Sequence, residues 1–331
     1  MKKALLLYNP KAGNRRIQGS LDFIANKVQQ LGYQLTVFRS YAPGSIEQFI
    51  VDEVTQDDTD LIMISGGDGT VNGCINGMIR KKIDLPLLIF PLGTANDFAN
   101  TANIPSNVTD ALSLLETGEP RFVDIGRVNE KYFINVCNMG IFSGVSHNTD
   151  LTLKKNLGKL AYYVKGIEEL QNYESMDLEI EYVVDEQPRL LQGHYVLVLI
   201  FNGQGAGGFN RIAKDASIED GYFDLIAIKD VARYEIPRLF VQVLQGEHVS
   251  NPNVDYLKCS KLTINCLNDS NQFVTDVDGE MGPKFPLNVS VVPYRIKVFL
   301  PKTSTLQGRI SLKSQDDFFK LITQFQNKNQ L

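Results

Sequence analysis

The chain has 331 residues, of which 43% are hydrophobic and 21% charged, and its formal net charge is −5. Such a length leads us to expect about two domains with substantial cores, and the negative balance excludes a protein built to coat nucleic acid, since no overall positive field attracts a polyanion. The longest purely apolar run, YVLVLIF at 195–201, is far short of the roughly 20 residues that a helix needs to cross a bilayer. The opening MKKALLLYNPKAG turns polar too soon for a signal peptide, so a cytoplasmic protein is expected. Four cysteines and three histidines are scattered without a C-x-x-C pair, which predicts reduced, packed thiols rather than disulfides or a zinc site.

In chain order, KALLLYN at 3–9 reads as a strand, and Ile17, Leu21, Ile24, Val28 and Leu31 then recur at helical spacing as far as Gly32. QLTVFRS is a second strand, followed by a helix that Ser45 is expected to cap and that carries Ile46, Phe49, Ile50 and Val54. DLIMIS is a third strand, Val71, Cys74, Ile75, Met78 and Ile79 line the next helix, and LPLLIFP is a fourth strand. This alternation predicts parallel βαβ units in a sheet covered on both faces. Near residue 121 the pattern changes to hairpins: RFVDIGRV with YFINVC across NEK, LEIEYVV with HYVLVLIF across DEQPR, then FDLIAIK, KLTINC, QFVTDV and RIKVFLP. They predict a mostly antiparallel second domain, a β-sandwich, interrupted by helical segments near 151–171 and 231–246. Phe318, Leu321, Ile322 and Phe325 predict a short amphipathic helix near the end. The expected division is therefore an α/β domain over 1–122, a sandwich over 123–300, and a tail over 301–331 that packs back on the first domain.

Gly66, Gly67, Asp68, Gly69 and Thr70 join the third strand to its helix. Glycines let the backbone approach a ligand, and the helix start aims free N–H groups and a positive dipole end at the same place, a combination that suits a phosphate. Asp68 beside that phosphate would repel it unless Mg²⁺ lies between them. YNPKAG, Tyr8 to Gly13, and PLGTANDFA, Pro91 to Ala99, end the first and fourth strands, and ligands of open parallel sheets bind beyond such strand ends. Three polar, glycine-bearing loops at one edge predict a nucleotide pocket, although the sequence has neither G-x-x-x-x-G-K-[ST] nor G-x-G-x-x-G after the first strand. Farther on, Asp220-Gly221 and Asp278-Gly279-Glu280 read equally well as hairpin turns and as functional acids. The stretch GAGGFNRIAKDASIEDG is too long and too rich in glycine for a simple hairpin, and resembles a loop shaped around a ligand or ion.

Taken together and in order, YNPKAG, GGDGTVN, PLGTANDFA, VDIG, LGKLAYY, DASIEDGYFDL, VDGE and VFLP closely resemble the bacterial diacylglycerol kinase-like lipid kinases. These are the YegS/BmrU group of the wider diacylglycerol, sphingosine and ceramide kinase family. The resemblance covers nearly the whole chain and implies a nucleotide-binding α/β domain, a β-sandwich, and an active site in the cleft between them. It implies ATP contacts at Asn9, Pro10, Lys11, Ala12, Gly13, Ser40, Gly66, Gly67, Asp68, Gly69, Thr70, Val71, Asn72 and Thr94. It points to Glu280 as the proton acceptor, and to Mg²⁺ held by the Asp220 carboxylate with backbone oxygens of Ser217 and Tyr222. Asp68, Asp97, Asp124 and Asp278 would form an acidic network around metals and the lipid hydroxyl. Lys214 departs from the family, standing where many relatives have proline before DAS.

The implied function is transfer of the γ-phosphate of ATP to a lipid hydroxyl, with diacylglycerol the leading acceptor and phosphatidylglycerol, a polyprenol or a sphingoid base the other candidates. An NAD kinase would also explain GGDGT but not PLGTANDFA followed by the two acidic loops, and a lipid-binding regulator without turnover would not explain the intact Asp68, Asp220 and Glu280. The lipid would be reached by transient contact with the membrane surface, for which LTLKKNLGKLAYYVKGIEEL at 151–170, basic and apolar by turns, is a candidate. Monomer and homodimer are both left open.

Overall fold

Short apolar runs that must hide both faces make the first half of the chain. The computed structural model describes residues 1–12, 16–141, 174–209 and 212–302. The first half runs β1 (Lys2–Tyr8), α1 (Arg16–Gly19), α2 (Leu21–Gln30), β2 (Tyr33–Arg39), α3 (Ser45–Glu53), β3 (Leu61–Gly66), α4 (Asp68–Lys81), β4 (Pro86–Pro91), α5 (Asp97–Thr101) and α6 (Val108–Thr117). Every residue of β3 is buried, as expected for a parallel strand with helices on both sides. The order is β2-β1-β3-β4, and all three pairings are parallel. The chain thus moves from β1 outward to β2 and then restarts on the other side at β3. That reversal opens a crevice beyond the carboxyl ends of β1 and β3, where Asn9 N–H donates to the Ser65 carbonyl at 3.0 Å.

The second half is antiparallel and sandwich-like. It comprises β5 (Glu119–Val128), β6 (Lys131–Phe133), β7 (Val136–Gly140), β8 (Met176–Val184), β9 (Gln187–Phe201), β10 (Phe223–Lys229), α7 (Ile236–Gln245), β11 (Val254–Cys259), β12 (Lys261–Cys266), β13 (Thr275–Val277), β14 (Glu280–Met281) and β15 (Leu287–Leu300). The middle of β10, LIAI at 225–228, is apolar without alternation because both faces of the strand are covered. Leu225 and Ala227 enter a core with Phe133, Tyr195 and Ile264, while Ile226 and Ile228 pack with Ile236, Leu239 and Val243 of α7. The two halves are not separate beads. β15 pairs with β12 and β5 in the second half, then runs on beside β4, placing Ile296, Val298 and Leu300 in the first core.

Several local expectations are revised. Ser45 does not cap α3; Gly44 takes that position with φ 78°, because the Ser45 hydroxyl turns back to donate to the Ala42 carbonyl at 2.7 Å. YFINVC is not one strand: it breaks between β6 and β7, where the N–H groups of Ile134, Asn135 and Val136 leave the ladder for the carboxylate of Asp278. β8 and β9 meet across Asp185 and Glu186 alone, both at positive φ, rather than across all of DEQPR. The reading also passed over β11 and over α6, whose first turn is capped by the Asn107 side chain accepting from Asp110 N–H. The helices expected near 151–171 and 318–325 lie outside the described residues. Among the described residues, no helix is long and apolar enough to cross a membrane.

The β3–α4 turn and the loop after β4 touch backbone to backbone. A Cβ built on Gly67 would lie 3.1 Å from the Cα of Gly93, and one built on Gly93 would overlap the Cα of Gly67. Gly73, inside α4, has open space around its missing Cβ. Gly93→Ala is therefore expected to destabilise the protein by about 1–3 kcal/mol, and Gly73→Ala to stabilise it by roughly 0.5–1 kcal/mol through helix propensity. Urea unfolding of the two variants checks the contrast, and equal midpoints would contradict the close approach.

Candidate active site

A cavity of about 1050 Å³ opens above the crevice between β1 and β3. The loop after β1 contributes Asn9, Pro10, Lys11 and Ala12; the end of β2 contributes Arg39, Ser40 and Tyr41; the β3–α4 turn contributes Gly67, Asp68, Gly69 and Thr70; and Gly93 and Thr94 close one side. Glu280, from the second half, stands on the same wall. Residues more than two hundred positions apart thus share one site. Gly66, Val71 and Asn72 fall outside this lining, and Gly13 lies outside the described residues.

The loops hold one another in place. The Asn9 side-chain oxygen accepts from Lys11 N–H at 2.9 Å and its amide donates to Thr70 Oγ1 at 3.4 Å, while Ser40 N–H donates to the Tyr8 carbonyl at 2.9 Å. Asp68 opens α4, where first-turn N–H groups have no carbonyl to bond within the helix. Its carboxylate accepts from Asn96 N–H at 2.8 Å. Asn96, at φ 54°, also accepts from Gly93 N–H and donates to the Pro91 carbonyl. A turn-forming Asn in the left-handed region thereby ties Asp68 to the loop after β4. Asn96, Arg39 and Tyr41 are not among the residues expected from the sequence; Arg39 and Tyr41 flank Ser40, which the family resemblance implied, at the end of β2, where the rule that ligands bind beyond strand ends also points.

The five candidate acids divide by what their oxygens touch. Glu280 and Asp68 reach the cavity. Asp97, buried, accepts from Gly208 N–H at 2.7 Å, and Asp124, 1% exposed, accepts from Gly221 N–H at 2.7 Å. Asp278 accepts from three successive backbone N–H groups, Ile134, Asn135 and Val136, at 2.6, 3.0 and 2.9 Å, and from the Asn72 amide at 2.6 Å. Burial pushes its carboxyl up to about 6, against these donors, which favour the charged form. Near neutral pH it is mainly ionised and accepts all four. Asp278 and Gly279 have φ of 51° and 88°, the two positive values of a type I′ hairpin, so turn and binding roles coincide.

The loop over 212–222 carries the ion ligands that the resemblance implies, Ser217, Asp220 and Tyr222. Asp220 Oδ1 accepts from Tyr222 N–H at 3.1 Å, and its Oδ2 lies 3.3 Å from the Lys258 ammonium. That ammonium also donates to the Asp215 carbonyl and lies 3.7 Å from buried Asp224. Asp224 Oδ2 has no hydrogen-bond partner, and burial raises the carboxyl's pKa. Among the described residues, no group of three or more His, Cys, Asp or Glu side chains converges as a metal cluster. One carboxylate with main-chain oxygens in a negatively charged loop is nevertheless a hard-oxygen donor set, suited to an ion that keeps several waters.

Residues 3–128 match the family model described as the diacylglycerol kinase catalytic domain, and residues 135–300 the YegS C-terminal NAD kinase beta sandwich-like domain. A diacylglycerol kinase of Bacillus subtilis is 33% identical over 308 residues, covering 93% of this chain and 99% of that one. One from Staphylococcus epidermidis is 32% identical over 301 residues, covering 91% and 93%. A crystal structure titled as a diacylglycerol kinase from Bacillus anthracis superposes with a TM-score of 0.71 at 25% identity, covering 92% of this chain and 98% of that one. With sequence and fold in agreement over almost its full length, the chain belongs to the diacylglycerol kinase catalytic-domain family, carrying a YegS-type sandwich as its second half.

Proposed function

We propose that the chain transfers the γ-phosphate of ATP to the free hydroxyl of diacylglycerol, giving phosphatidic acid. The observation that carries this reading is Glu280 on the wall of a cavity otherwise lined by loops and helix residues of the α/β half. Phosphoryl transfer needs a positioned phosphate chain, neutralised charge and an oriented acceptor hydroxyl. The first turn of α4 and the loop at Asn9–Ala12 bind and orient the phosphates, with Lys11 and Arg39 supplying positive charge. Glu280 takes the proton of the acceptor hydroxyl as the new O–P bond forms and ADP leaves. Packing of the hairpin over the cavity limits water, the competing acceptor.

Mg²⁺ belongs to this reading in two places. At Asp68 it would offset the charge of carboxylate and phosphate, and at Asp220, with backbone oxygens of Ser217 and Tyr222, it would order the loop over 212–222. Lys258 is already a partial counter-charge there. Asp97 and Asp124 serve as braces, holding the loops at Gly208 and Gly221 against the site. The domain division at 122 and 300 fits this scheme, with the cavity on the first part and the base delivered by the second. The lipid is met at a bilayer surface, from the aqueous side.

Labelled γ-ATP with Mg²⁺ and a detergent-dispersed panel of diacylglycerol, phosphatidylglycerol, a polyprenol and a sphingoid base, with NAD alongside, tests the acceptor. Labelled phosphatidic acid, lost in Asp68→Ala, is expected; label in another acceptor names that acceptor instead. Glu280→Gln should lower kcat about 10²- to 10⁴-fold, the usual share of a general base, while nucleotide affinity holds. Near-normal turnover in a folded variant would move the role to Asp68. Chelation should abolish transfer and added Mg²⁺ restore it. Excess Mg²⁺ should raise the melting temperature of the native sequence more than that of Asp220→Ala; an equal rise would remove Asp220 as a ligand.

A further inference from the structure

We infer that Asn72 is a positioning residue for the transfer reaction: through Asp278 it latches the hairpin that carries Glu280 onto the helix that grips the nucleotide. The inference rests on the reading of the cavity as the ATP site and of Glu280 as the base. Asn72 follows Asp68 by one turn of α4 and lies outside the cavity lining. Its side-chain oxygen accepts from Asn76 Nδ2 at 2.5 Å, and Asn76 also donates to the Asn72 carbonyl at 3.0 Å. With its oxygen engaged, the amide presents its nitrogen to Asp278 Oδ2 at 2.6 Å. An ionised carboxylate can only accept, so both neighbours set the same orientation.

On its other side Asp278 collects the N–H groups of Ile134, Asn135 and Val136. The carboxylate therefore stands between the halves, with three donors from the sandwich and one from α4. Asp278 is the first central residue of the hairpin turn and Glu280 the residue after its second, paired back to Val277. Moving the turn moves the base. Neither latch residue is the local optimum. Asn is a poor helix former inside α4, and a glycine or asparagine would satisfy the positive φ of the turn without a charge. Each choice is explained by the other across the junction.

The test is a cycle of Asn72→Ala, Asp278→Asn and the double variant. kcat, nucleotide affinity by calorimetry with ADP, and amide exchange of the peptides holding Ile134–Val136 and Glu280 are read for each. Asn72→Ala favours the helix and is expected to fold. A latch predicts kcat lowered about 10- to 100-fold, as expected when a reacting group is misplaced by about 1 Å. ADP affinity should stay within about threefold, exchange in both peptides should quicken, and the double variant should be no worse than Asp278→Asn. Unchanged kcat and exchange in Asn72→Ala, or strictly additive losses, would overturn the latch. Weakened ADP binding with kcat intact would make Asn72 a nucleotide contact instead. A protein that binds ADP but phosphorylates no lipid would sink the kinase reading alone, and exchange together with binding would still decide the latch.

Discussion

Buried and half-buried carboxylates that accept main-chain N–H groups are the interaction on which the junction of this protein depends. Asp97 takes Gly208, Asp124 takes Gly221, and Asp278 takes Ile134, Asn135 and Val136. Each is a loop that would otherwise carry amides without partners near the site, and a charged acceptor binds them more strongly than a neutral one. Asp97 and Asp278 also bridge the halves, since Gly208 and Asn72 come from across the junction. The pairing of β5 with β15, which spans both halves with a register shift between Val292 and Ile296, sets their relative placement, and these side chains refine it where chemistry requires the finer tolerance.

The remaining acids have a different task. Asp68 is held by one N–H and Glu280 stands exposed at a hairpin end, so both keep oxygens available to the cavity. Position along an element does not decide this: Asp68 and Asp97 both open helices, yet only Asp97 is buried against the amide of a distant loop. The proposed phosphate site depends equally on backbone proximity. Gly67 and Gly93 let two loops meet at main-chain distance, and Asn96 closes the gap between them.

Much of this was legible in the sequence. The four parallel strands follow from short apolar runs separated by helical spacing, and the site follows from three polar loops at their ends. What escaped were features set by tertiary partners. YFINVC has an unbroken strand pattern, and only the distant Asp278 carboxylate explains why its middle amides leave the ladder. Asp278-Gly279 could be read as a turn or as functional acids; the structure shows the turn, with the Asp278 carboxylate also accepting from the amides of Ile134, Asn135 and Val136. Ser45 has the identity of a cap, but its hydroxyl turns back, donating to the Ala42 carbonyl and accepting from Tyr41 and Ala42 N–H rather than from the helix's own amides. Asn72, grouped with the nucleotide loop by its motif, turns its amide toward the other half. No local pattern could distinguish those two directions along α4.

Whether the glycine loops and the Glu280 hairpin form one catalytic cavity is decided by a crystal structure with Mg²⁺ and a non-hydrolysable ATP analogue. The triphosphate is expected over the first turn of α4, between Lys11 and Thr94, with its terminal phosphate directed toward Glu280. A nucleotide bound elsewhere, or in this cavity with its terminal phosphate pointing away from the sandwich, would contradict it.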